Sequence, residues 1–145
     1  MKLGVFSAAL PDYSLEQYAD WAAANEFESL ELACWPVEKA NRRYAGVTTV
    51  DVVTLDKDRA GQIKKYVAQK KLIISALGYY PNPLSPDLDY RNRVIDHLKK
   101  VIVAAEMLDV PVVGTFIGKD KDKNVPDNLE EYARVWPSIV KFAAQ

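Results

Sequence analysis

Lys71–Pro86, KLIISALGYYPNPLSP, decides how this chain is read. Leu72-Ile73-Ile74 is a short apolar run rich in β-branched residues, with a charged helix-like segment before it, and it reads as a buried strand. It passes through Ser75-Ala76-Leu77-Gly78 into Tyr79-Tyr80 and the turn Pro81-Asn82-Pro83. A buried strand that empties into an aromatic, proline-stiffened loop is how an α/β protein builds one wall of a pocket. No charged residue follows until Asp87, so a ligand there would meet rings, an amide and backbone groups. Taken alone, the stretch reads equally well as a strand with an ordinary surface loop. Recurrence of the same pattern along the chain favours the pocket.

Upstream, Lys2–Ser7 reads as a first strand, apolar enough to be buried on both faces. Its loop, Ala8–Tyr13, ends at Ser14, and Ser14-Leu15-Glu16-Gln17 has the form of a capping box, opening a helix that runs to about Asn25. Glu28–Ala33 is a second strand, with Leu30 and Leu32 on one face and Glu31 on the other. A carboxylate in mid-strand is either paired with a lysine or arginine, or serves a pocket by orienting a substrate hydroxyl or helping to hold a metal. The aromatic loop Cys34-Trp35-Pro36 directly after it favours the pocket. Cys34 has no basic neighbour before Lys39 and reads as an inert thiol. Residues 37–55 form an extended connection with a β-like run, Val50–Val53. The pair Arg42-Arg43 within it could meet a phosphate, but reads more simply as a solvated turn. Asp56–Lys70 is a second helix, its apolar stripe made by Ala60, Ile63, Tyr66 and Val67.

Downstream, Tyr90–Leu108 carries Val94, Ile95, Leu98, Val101, Ile102 and Ala105 at three- and four-residue steps, the clearest helix in the chain. His97, the only histidine, falls beside that stripe and reads as structural, not as a ligand or base. Val112–Gly118 is a fourth strand, and Lys119–Asn124, KDKDKN, a solvated loop of mixed sign. A last helix is capped by Asn124 or Asp127, with Pro126 in its first turn and Pro137 expected to kink it.

Composition bounds the function. The 145 residues fit one domain, and 49% hydrophobic with 27% charged residues is ordinary for a globular protein. A net charge of -1 gives no electrostatic footprint for nucleic acid or an anionic membrane. One cysteine excludes an internal disulfide. The N-terminus, MKLGVFSAALPDYS, is too weak for a signal peptide and too short to span a bilayer, so a cytoplasmic location is expected.

Four strand–loop–helix units in succession predict a parallel sheet with right-handed crossovers. A doubly wound sheet would carry a glycine-rich turn after its first strand, and Ala8–Tyr13 has no glycine. A TIM barrel needs eight units, and four are present. The sequence reaches Gln145 inside an amphipathic helix with no C-cap glycine, as in an interrupted barrel. The expected fold is therefore α/β: a single domain over 1–145, the parallel (β/α)₄ half of a TIM barrel, truncated or completed by oligomerisation.

KLGVFSAALPD, FESLEL, ISALGYYPNPLSPD, HLKKVIVAAEMLDVPVVGTFIG and NLEEYARVWPSIVKFA together resemble the sugar phosphate isomerase/epimerase family with a xylose isomerase-like TIM barrel. The resemblance implies an active site at the C-terminal ends of the strands. It implies a divalent metal (Mn, Mg, Co or Zn) in the complete barrel, with two glutamates moving a proton beside a carbonyl or at a sugar stereocentre. The metal ligands would come from later strands, so none is assigned in this chain and no catalytic residue is named. Pocket-wall roles fall on Phe6, Glu31, Trp35, Tyr79, Tyr80, Asn82, Thr115 and Phe116. The implied partners are a small sugar or polyol and either a second copy or a missing C-terminal half; no nucleic acid or membrane is expected. The alternative to an isomerase or epimerase half is a self-associating half-barrel that binds a polyol or serves assembly without catalysis. A nuclease relative that shares the barrel and cleaves DNA at abasic sites is disfavoured by the balanced charge.

Overall fold

Helix boundaries follow from single polar side chains. The computed structural model describes residues 2–38 and 46–145, so Arg42-Arg43 lies outside the described residues. Ser14 opens α1, Leu15–Ala24, by accepting from the Gln17 N–H while the Gln17 side chain accepts from the Ser14 N–H, the full capping box. Asp56 caps α2, Lys57–Gln69, through the Arg59 N–H. Asp87 does the same for α3, Leu88–Met107, through the Tyr90 N–H, which is why that helix starts before Tyr90. Asn124, and not Asp127, caps α4, Val125–Ala143, which continues as one element through Pro137. The ring nitrogen of Pro137 cannot donate to the Ala133 carbonyl four residues back.

The first three helices end alike. Glu26, Lys71 and Asp109 each take positive φ directly after the C-cap. The next residue then closes the helix: the Phe27 N–H donates to the Ala22 carbonyl at 3.0 Å, Leu72 to Val67 at 3.2 Å, and Val110 to Ala105 at 2.8 Å. With the bonds from Glu26 to Ala23, Lys71 to Ala68 and Asp109 to Glu106, these are three complete Schellman closures without a glycine. In each, an apolar residue turns the chain back toward the sheet.

That sheet is made of β1, Gly4–Phe6; β2, Ser29–Ala33; β3, Ile73–Gly78; and β4, Val113–Gly114, all parallel and in the order β1-β2-β3-β4. Among the described residues the order never reverses, so there is no switch point of the doubly wound kind. The arrangement is half of a TIM barrel. Leu30, Leu32 and Leu77 are fully buried among Tyr18, Ala22, Ile63 and Leu98 of the helices. Burial of each leucine contributes about 2 kcal/mol. The Tyr18 hydroxyl crosses this layer to donate to the Val5 carbonyl at 2.6 Å.

Three expectations need correction. Val50–Val53 is a turn: Asp51 accepts from the Val53 N–H and the Thr54 hydroxyl, an Asx-type arrangement that buries Val50 and Val52 without a strand. β4 covers only Val113–Gly114, not Val112–Gly118. Its last rung is the Tyr79 N–H on the Gly114 carbonyl, after which Pro81 and Pro83 have no N–H to offer. Lys119–Asn124 is not simply solvated, because Asp120 is buried and Asn128 holds the turn through its amide, accepting from Asp120 N–H and donating to the carbonyls of Asp120, Lys123 and Asn124. Among the described residues no helix is long and apolar enough to cross a membrane.

Candidate functional site on the inner face of the half-barrel

Leu30 and Leu32 face the helices, so strand alternation sends Glu31 to the other, concave face. Phe6 is its neighbour in register on β1. On β3 an irregularity between Leu30 and Glu31 moves the pairing by one residue, from Leu30–Ile74 to Glu31–Ala76. The extra residue, Ser75, donates its hydroxyl to the Leu30 carbonyl at 3.0 Å. The shift brings Gly78 to the inner face beside Glu31.

Among the described residues Glu31 pairs with neither a lysine nor an arginine. The Tyr80 hydroxyl donates to its Oε1, and among those same residues Oε2 has no hydrogen-bond partner. Burial first, then the bond to Glu31 and its charge, push the Tyr80 phenol well above its ordinary range, so it stays a donor at neutral pH. Two glycines make the space. A Cβ on Gly78 would sit 2.6 Å from Glu31 Oε1 and 2.8 Å from the Phe6 ring, and one on Gly114 would strike the Tyr80 hydroxyl. Rings surround the pair: Phe6 lies 5.7 Å from Tyr80 edge-on, Trp35 6.0 Å from Tyr80, and Phe116 5.0 Å from Tyr80 on the solvent side. Aromatic faces around a half-exposed carboxylate can receive the C–H face of a polyol while the carboxylate accepts from its hydroxyls.

The structure therefore brings Phe6, Glu31, Trp35, Tyr80 and Phe116 together. Tyr79 points the other way; it is buried between Trp35 and the His97 ring, 4.7 Å away. Thr115 lines a cavity of about 490 Å³ on the helix side, with Leu98, Ile102, Trp136 and Ile139. Asn82 has its amide committed to a loop clamp: Oδ1 accepts from Leu84 and Lys119 N–H, and Nδ2 donates to the Lys119 carbonyl. Gly118, at φ 83°, permits that approach, since a side chain there would meet Asn82 and Pro83. Sequence reasoning misses Gly78 and Gly114, although a glycine inside a strand signals a close approach.

A divalent metal needs several converging ligands. Among the described residues no three His, Cys, Asp or Glu side chains form such a group. Glu31 offers only Oε2, its Oε1 being taken by Tyr80, and His97 is on the helix side, its Nε2–H donating to the Cys34 carbonyl at 2.8 Å. These residues do not fit a resident metal. The buried Cys34 thiol is pushed up by burial and by the charge of Glu31, which makes it unreactive.

His97 carries a pH prediction. Burial lowers its pKa below the ordinary 6.5, partly opposed by the Cys34 carbonyl and by Asp51 and Glu38, and reinforced by Lys100. The unfolded chain then binds the extra proton first, so this contribution to stability is complete above about 6.5 and is lost as pH falls. Urea unfolding midpoints measured below that pH should decline in the parent more than in His97→Gln; equal declines would refute the assignment.

Comparison with known proteins agrees with this geometry. The family model described as xylose isomerase-like TIM barrel matches residues 19–145. No curated protein matches the sequence. Among solved structures, AsbF of Bacillus anthracis, assigned as a 3-DHS dehydratase, superposes with TM-score 0.72 at 18% identity, over 100% of this chain and 49% of that one. D-psicose 3-epimerase of Clostridium cellulolyticum H10, solved with D-tagatose, gives 0.70 at 18%, over 99% of this chain and 49% of that one. An L-ribulose 3-epimerase gives 0.66 at 16%, over 99% of this chain and 46% of that one. The chain thus spans about half the length of these structures. With the strand order, the inward carboxylate and the family match over most of its length, the chain belongs to the xylose isomerase-like TIM barrel family.

Proposed function

We propose that this chain supplies the N-terminal, sugar-facing wall of an isomerase or epimerase acting on a sugar or sugar phosphate. The observation that carries the reading is Glu31, whose Oε2 has no partner among the described residues and which sits on the concave face inside the ring of Phe6, Trp35, Tyr80 and Phe116. Two of the similar structures are a D-psicose 3-epimerase, solved with D-tagatose, and an L-ribulose 3-epimerase, which supports a ketose as ligand. Proton transfer beside a carbonyl needs two positioned acid/base groups. Glu31 is one carboxylate on this face; a second, and the divalent metal, would belong to the later strands of a complete barrel. The isolated chain is accordingly a binding wall and not a complete catalyst. Tyr80 orients Glu31, and the rings exclude water from the C–H face of the sugar.

Saturation-transfer NMR of the chain with D-tagatose tests this. Transfer to the ring protons is expected, with affinity about tenfold weaker in Glu31→Gln, which keeps the shape and removes the charge. Absence of transfer to D-tagatose and to other ketoses and their phosphates would overturn the reading. A self-associating half-barrel that binds a polyol without catalysis is the second reading, favoured by the two sheet edges left unpaired among the described residues.

A further inference from the structure

Asn82 stands two residues after Tyr80 and reaches across to the segment that carries Phe116. Its Oδ1 accepts from the Leu84 N–H and the Lys119 N–H, both at 3.0 Å, and its Nδ2 donates to the Lys119 carbonyl at 2.7 Å. One side-chain amide thus pairs with both backbone groups of Lys119, as a neighbouring strand would. It reaches from a firm base, because Pro83 and Leu84 are fully buried. Gly118 makes the room: its φ of 83° turns the chain, and a Cβ there would lie 2.2 Å from Asn82 Oδ1.

This clamp lies where the pairing of β3 with β4 has ended. Their last rung is the Tyr79 N–H on the Gly114 carbonyl, and Pro81 and Pro83 have no N–H with which to continue it. Among the described residues, side chains take over along residues 115–119. Asn82 grips Lys119 from the β3 side, and Trp136 of α4 donates its Nε1–H to the Ile117 carbonyl at 3.0 Å from the helix side. Phe116 lies within this span, its ring 5.0 Å from that of Tyr80. Backbone bonds from β3 run out before Phe116 is reached, so on that side its place over Tyr80 depends on the amide beyond it.

We propose that Asn82 is a positioning residue of the inner face. Its amide fastens the loop after β4 to the loop after β3 and so holds the Phe116 ring against Tyr80, the donor to Glu31 Oε1. Asn82 touches no ligand in this role and serves the pocket through the two rings. An amide suits the task because it carries an acceptor and a donor on one planar group, matching the N–H and C=O of Lys119. A carboxylate would keep the acceptor and lose the donor. The weight of the clamp in sugar binding rests on the proposed function, whereas its hold on the rings does not.

Nuclear Overhauser contacts between the Tyr80 and Phe116 rings, read in the protein with labelled tyrosine and phenylalanine, test this. They are expected in the parent and should be lost in Asn82→Ala, and in Gly118→Ala, which breaks the same clamp from the other loop. Contacts between Tyr80 and Phe6 should persist in both. A Tyr80–Phe116 contact unchanged in either folded variant overturns the proposal even where stability falls, since a purely structural amide would lower the unfolding midpoint and leave the rings in place. Should neither variant fold, Asn82→Asp is read instead; a weakened contact is expected there, and an unchanged one overturns the proposal. D-tagatose binding, followed by saturation transfer, should weaken about tenfold in Asn82→Ala. Affinity equal to the parent's overturns the role in binding. A parent that takes up no ketose or ketose phosphate fails the proposed function, and the ring contacts still decide the clamp.

Discussion

Gly78→Val is expected to lower stability by about 2–3 kcal/mol and to separate Glu31 from Tyr80. The added Cβ alone would lie 2.6 Å from Glu31 Oε1, 2.8 Å from the Phe6 ring and 2.9 Å from the Tyr80 ring. Glu31 cannot swing aside without losing its hydroxyl partner, and the two rings are braced by Trp35 and Phe116. Overpacking at such a point is relieved only by moving β2 or the loop after β3. Gly61 is the control: a Cβ there meets nothing within 4 Å, and it lies in α2, so Gly61→Ala should stabilise by about 1 kcal/mol. Urea unfolding measures both. Equal effects of the two substitutions would show that the inner face has slack and that the glycine is incidental.

Removing Glu131 is expected to cost about 2–3 kcal/mol, a loss unusual for a charged residue on a helix. Glu131 is buried and receives Arg91 Nη1 at 2.5 Å and Lys123 at 3.4 Å, together with Arg134. Arg91, also largely buried, donates its Nε–H to the Ser85 carbonyl at 2.8 Å and so ties the loop after β3 to α4. In Glu131→Ala the guanidinium remains buried without its carboxylate, which costs more than the bond itself is worth. Arg134 is 69% exposed, and Arg134→Ala should change stability by less than about 1 kcal/mol. The Arg91 bond first of all holds the Glu131 carboxyl below its ordinary 4.5. Its stabilisation is therefore complete above about 4.5 and lost as pH falls, and the gap between parent and Glu131→Ala should narrow in acid. A gap that persists unchanged in acid would mean that packing, not charge, is what Glu131 contributes.

The repeating units were legible because each is written locally. The capping box at Ser14–Gln17 and the three- and four-residue steps of α3 need only neighbouring residues, and both appear in the structure. The parallel half-barrel follows from counting those units. What sequence could not supply is parity. Tyr79 and Tyr80 are adjacent, as are Thr115 and Phe116, and strand alternation lets only one of each pair face the concave side. Which one depends on the shift at Ser75, a pairing event between strands that leaves no mark in either strand alone. The amide of Asn82 suggests a place in the pocket wall, yet the structure spends that amide on Lys119, thirty-seven positions away. Glu131 shows only the ordinary i,i+3 pairing with Arg134, and its burial depends on Arg91, forty positions away, which meets it only when α4 packs.

The three Schellman closures have a consequence for how the chain acquires its fold. Each joint from helix to strand is fixed by bonds reaching back five residues or fewer, from Phe27 to Ala22, Leu72 to Val67 and Val110 to Ala105. Contacts that short close almost no loop and form on the timescale of helix growth. The heading of each new strand is thus settled before that strand has a neighbour, and only the sheet pairing waits for distant chain. A polypeptide emerging from the ribosome can commit to this handedness one unit at a time, adding strands to a growing edge in the order in which they are made.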